Sequence, residues 1–139
     1  MESLPSGLSK VVEDSECLVR FLTSSGQFNA KVVKHAAFLP NPNDGYTTSV
    51  FRHSGKPESE LWVIGAQHIG STRALHGVAT VVAEQVRNEK LAVIAKEPPP
   101  KHANICNWPL DQSDPDLQKA MHKKIALSIA SHARLLLRP

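Results

Sequence analysis

The chain has 139 residues, with sixteen Lys and Arg against thirteen Asp and Glu, a formal charge of +3 with His neutral, 41% apolar and 21% charged residues. This balance is that of one globular domain and excludes a collagen-like repeat, a coiled coil and a wholly disordered chain. A chain of this size buries roughly 68–70% of its unfolded surface, so an ordinary apolar core needs no metal or disulfide staple.

Residues 1–10 are small and polar and are expected to fray, leaving one domain over 11–139. Asp14 to Ser24 reads as a helix: Asp14 or Ser15 caps it, Leu18, Val19, Phe21 and Leu22 form its apolar face, and Gly26 follows its end. Lys31 to Phe38 reads as a strand around Val32 and Val33. Pro40, Asn41, Pro42, Asn43, Asp44 and Gly45 then signal a turn, and Tyr46 to His53 alternates, with Ser49, Phe51 and His53 on one side. Together these predict an antiparallel hairpin.

Ser54 to Lys56 breaks the strand, and Pro57 opens a short helix to about residue 67 carrying Leu61, Trp62 and Ile64. Gly65 weakens this helix and Gly70 ends it. Gly77 to Val86 and Leu91 to Lys96 predict a second hairpin, its first strand apolar on both sides. Glu97 to Ser113 is irregular, with Pro98 to Pro100 as a polyproline approach to a short strand at His102 to Cys106. Asp114 caps the last helix and Pro115 starts it. Leu117, Met121, Ile125, Ile129, Ala133 and Leu136 form its apolar stripe, and Arg134 and Arg138 complement its dipole. The fold class is therefore α+β: a mainly antiparallel sheet of four or five strands in two hairpins, with about three helices packed on one face.

Familiar motifs are absent. Gly65 to Thr72 lacks the Lys of a phosphate-binding loop, and there is no G-x-G-x-x-G, G-x-S-x-G or H-E-x-x-H. No cofactor and no metal are implied. Cys17 and Cys106 form no C-x-x-C pair, the first ten residues do not read as a secretory leader, and no apolar run reaches membrane-spanning length. A cytoplasmic protein with reduced thiols is expected.

Three groups of residues carry candidate chemistry. An extended segment puts His102, Asn104 and Cys106 on one face, where His transfers protons, Asn donates to an oxyanion and Cys attacks if a base lowers its pKa. The plainer reading has Trp108 packing this loop on the core and Cys106 as a small buried residue. Convergence of Arg52, His53, Arg73, His76 and His102 would make a cationic pocket for a phosphate-bearing ligand, with His102 and His53 as acid–base groups and Arg52, Arg73, His76, Asn104 and Trp108 as ligand contacts. The plainer reading leaves Arg52 and Arg73 as solvated edge charges. Lys119, Lys123, Lys124 and Arg134 offer a basic surface to nucleic acid or an acidic partner. The first expectation for function is a non-enzymatic interaction module or accessory subunit that meets a protein partner or its own copies. The alternative is a small enzyme or binder acting on a nucleotide or RNA through the Arg and His residues.

Overall fold

Residues 17–22 form a strand, not the expected helix. Leu18 and Leu22 are buried on one side of it, and Val19 and Phe21 on the other. A strand covered on both faces shows a near-continuous apolar run, which periodicity alone does not separate from a buried helix. The computed structural model describes residues 3–53, 57–70 and 73–139, so the expected break at Ser54 to Lys56 lies outside the described residues.

The elements in chain order are β1 (Cys17–Leu22), β2 (Thr48–His53), α1 (Glu58–Ile69), β3 (Gly77–Val82), α2 (Ala83–Arg87), β4 (Ala92–Ala95), β5 (His102–Cys106), α3 (Pro115–His132) and β6 (Arg134–Leu137). They form an α+β fold with one six-stranded sheet of order β4-β5-β2-β1-β3-β6, antiparallel at every neighbouring pair. The sheet thus has six strands where four or five were expected, and its pairings depart from two simple hairpins.

Lys31 to Phe38 is not a strand. Phe28 and Val33 share one isolated bridge, and His35–Ala37 is a single 3₁₀ turn. Side chains satisfy its carbonyls: Arg20 Nε donates to Ala37 O at 2.8 Å and Thr48 Oγ1 to Phe38 O at 2.9 Å. β2 therefore pairs with β1 and β5. β3 does not reach Val86, because its ladder ends where Val82 faces Cys17, and the next residues turn into α2. β3 lies between β1 and β6, and β4 pairs with β5, so the second expected hairpin does not form. The polyproline approach is instead a tight β4–β5 connection in which Lys96 N donates to His102 O and His102 N to Pro99 O.

The terminal helix begins as its cap and proline dictate, with Asp114 accepting from Leu117 N at 3.0 Å. Its packed face is His122, Ala126, Ile129 and Ala130, while Leu117 is exposed. Ala133 is extended, and β6 follows with Leu135 toward one face of the sheet and Leu136 toward the other. Leu136 therefore leaves the predicted helical stripe.

Register fixes what each face carries. Leu18, Val50, Ala79, Val81, Ala103 and Ile105 point toward α3 and α2, with Phe38 and Trp108 completing that core. Val19, Phe21, Phe51 and Val78 point to the other face, covered by Leu61 and Ile69 of α1. Helices occupy both faces, against the expectation of one. Gly65 is the point of closest approach: a Cβ there would lie 2.8 Å from atoms of Phe21 and Leu75. The glycine expected to weaken α1 is what lets it seat on β1.

Residues 3–16, which include residues 3–10 of the segment expected to fray, are joined to β2 and to the β4–β5 connection. Ser6 Oγ donates to Glu97 at 2.5 Å, and Arg52 Nη1 donates to Ser9 O at 2.7 Å.

Candidate active site on the sheet face

The α1 face is polar where β2 meets β5. The register sets Ser49 opposite Asn104 and Phe51 opposite His102, so Ser49, His102 and Asn104 share one face of two adjacent strands. Directly opposed residues on an antiparallel pair have Cβ atoms about 4.5–5.5 Å apart, and diagonal ones remain within side-chain reach. Ser49 Oγ lies 2.5 Å from His102 Nε2. His102 Nδ1 lies 2.8 Å from Lys96 O. A carbonyl oxygen only accepts, so Nδ1 carries the proton, and the Nε2 of the neutral ring accepts from the Ser49 hydroxyl.

Burial holds the His102 pKa below its ordinary value; the Lys96 carbonyl opposes this shift and the Lys96 charge adds to it. The ring is thus neutral near pH 7 and able to take a proton. Phe51 sits edge-on to His102 with ring centroids 5.3 Å apart. His68 of α1 closes over Phe51 at 4.8 Å and stands 6.5 Å from the His102 ring. Its pKa is also lowered, by burial first and then by the charges of His102, Arg73 and Arg20. Arg20 Nη1 donates to Ser49 O at 3.0 Å, which fixes the backbone of the serine. A cleft of about 30 Å³ opens beside these residues, lined by Arg20, Thr23, Ser49, Phe51, His68 and Arg73. That volume holds one water-sized group.

Of the residues proposed from sequence, His102, Asn104 and Arg73 fall in this neighbourhood. The Asn104 side chain has no hydrogen-bond partner among the described residues. His53 is on the same face, four positions from Ser49 and so about 13–14 Å along the strand; Glu60 and Lys101 are its charged neighbours. Arg52 points the other way. It is 3% exposed, and its Nε and Nη2 donate to both Glu16 carboxylate oxygens at 2.7 and 2.9 Å. Far from being a solvated edge charge, it is a buried structural cation. His76 packs on Phe28 at 5.7 Å. Trp108 is buried on the α3 side and donates from Nε1 to Ile105 O at 3.3 Å. The structure does not bring Arg52, His76 or Trp108 to the site.

Burial raises the pKa of both Cys17 and Cys106, with a hydrogen bond from Thr80 opposing the shift at Cys17, so both are protonated thiols at neutral pH. Among the described residues no three His, Cys, Asp or Glu side chains are grouped to hold a metal ion, and no helix is long and apolar enough to cross a membrane. No family model, curated protein or solved structure matches the chain.

Nothing local in the sequence marks Ser49, His68 or Arg20 as site residues. The alternation of β2 already put Ser49 on the face of Phe51 and His53. Only the pairing of β2 with β5 shows that this face meets His102.

Proposed function

We propose that the chain is a small hydrolase of an ester that carries a phosphate or a similar anionic group, with Ser49 as nucleophile and His102 as general base. One observation carries the reading: the continuous hydrogen-bond chain from Ser49 through His102 to the Lys96 carbonyl. A serine hydroxyl is a weak nucleophile unless a neighbouring base accepts its proton, and the base needs a third group to hold its tautomer. Lys96 O fills that third role here without a carboxylate.

In the proposed reaction Ser49 Oγ bonds to the ester carbonyl carbon while its proton passes to His102 Nε2. The negative charge moves to the carbonyl oxygen, toward the Asn104 amide, which has no competing bond among the described residues. The carbon–oxygen bond to the leaving alcohol then breaks, and His102 returns the proton to that oxygen. Water repeats the sequence on the acyl-enzyme, releases the acid and restores Ser49. Arg73 and His68 line the cleft beside Ser49. This supports an anionic substrate, since guanidinium pairs bidentately with phosphate and carboxylate.

The test is covalent capture with a fluorophosphonate probe, followed by peptide mass analysis. Labelling at Ser49 that disappears in Ser49→Ala and in His102→Gln is the expected result. No adduct, or an adduct spread over other residues, would overturn the reading.

A further inference from the structure

The opposite side of the molecule holds a second concavity, independent of Ser49. A groove of about 570 Å³ runs between α3 and the 39–46 loop. Ligand sites span about 300–1,000 Å³, so this one is large enough to seat side chains of a partner. One wall is apolar, built from Leu39, Pro40 and Tyr46; the other is the α3 surface at Lys119, Ala120 and Lys123.

The groove floor is held firmly. Tyr46 has φ 59°, a left-handed conformation that a bulky side chain seldom takes. Its ring rests 5.7 Å from His122, and His122 in turn meets the edge of Trp108 at 5.5 Å. His122 Nε2 donates to Pro109 O at 2.6 Å, because the carbonyl can only accept. The surrounding structure therefore holds a strained Tyr against a braced floor, as is common at ligand-binding surfaces.

Charge selects the occupant. Lys119 and Lys123 stand one helical turn apart, are both exposed, and make no ion pair among the described residues. Among the described residues Asp116 is the single carboxylate lining the groove, against the two lysines. Arg134, grouped with these lysines in the sequence reading, lies on β6 opposite Thr80 and so faces the α1 side, which divides the expected basic surface. A long polyanion that needs a broad basic track is less suited to what remains than a short segment with an apolar anchor and acidic flanks.

We propose that this groove docks an acidic peptide segment of a partner protein, one apolar or aromatic side chain lying against Tyr46, Leu39 and Pro42 and its carboxylates meeting Lys119 and Lys123. The probe is a displayed library of random peptides about twelve residues long, selected on the full chain and followed by amide-shift mapping with the recovered peptides. Acidic sequences around an aromatic or Leu are expected, with shifts at Tyr46 and along residues 116–123. Lys119→Glu with Lys123→Glu should weaken them about tenfold or more, and Tyr46→Ala by a similar factor. Ser49→Ala should bind unchanged. Neutral or basic consensus sequences, shifts mapping elsewhere, no selected peptide, or self-association of the chain through the groove would each overturn the proposal. Both lysines are exposed, so circular dichroism matching the parent shows that lost binding is not lost folding.

Discussion

The two faces of the sheet treat their buried polar groups differently. On the α3 face Arg52 is surrounded by fixed partners, two oxygens of Glu16 and the carbonyls of Ser9 and Val11, and nothing is left to react. On the α1 face His102 is also buried, yet one of its partners is a serine hydroxyl that can leave the hydrogen bond. Helix coverage explains the difference. α3 and α2 seal an apolar layer from Leu18 to Ile105, whereas α1 covers Phe21, Phe51 and Val78, and Ser49 opens to a cleft. The first face serves stability, and the second keeps polar groups where chemistry is possible.

The largest effect expected is on the sealed face. Arg52→Ala would leave Glu16 partly buried without its partner and cost about 3–5 kcal/mol of unfolding free energy, measured by urea titration. Arg52→Met combined with Glu16→Gln removes both charges and should recover most of that loss. If the double variant is as unstable as the single one, the ion pair is not the main contribution. Burial alone would raise the Glu16 pKa, but the hydrogen bonds from Arg52 and the Glu13 backbone, with the charges of Arg52 and Arg87, outweigh it and lower the value.

On the open face, Ser49→Ala or His102→Gln should cut turnover of an activated ester about 10²- to 10⁴-fold while moving the urea midpoint far less than Arg52→Ala does. A matched loss of stability and activity would return the pair to a purely structural role. Gly65→Ala tests the contact that brings α1 over this face. The added methyl would collide with Phe21 and Leu75, and overpacking of this kind costs about 1–3 kcal/mol, read as a fall in the urea midpoint.

The smallest effect is a pH dependence. The His102 pKa is lowered in the folded protein, by burial first, while an unfolded His titrates near 6.5. On acidification the unfolded state therefore binds the proton first, so the contribution of His102 to stability is full above about 6.5 and declines as pH falls toward the folded value. Urea midpoints measured across this window should fall with acidification in the parent and fall less in His102→Gln. A slope unchanged by the substitution would assign the effect to other groups.

Local signals were legible where the physics is local. Asp114 and Pro115 start α3, Pro57 precedes α1, and the alternation of β2 is as its residues alone indicate. Residues 17–22 and 134–137 were not, since apolar runs suit a helix or a strand equally until a partner strand accepts their hydrogen bonds. The same limit hid the site. His102 and Asn104 could be placed on one face of an extended segment, but Ser49 lies 53 residues from His102.

By itself, the sequence determined where α1 and α3 begin, the alternation along β2, and that His102 and Asn104 share one face of an extended segment. Tertiary structure alone decided that β2 would lie beside β5, that Arg52 would turn inward to Glu16, and that a serine would meet the histidine. Caps, prolines and periodicity act over a few residues, whereas strand pairing is a choice among distant partners made by burial of the whole sheet.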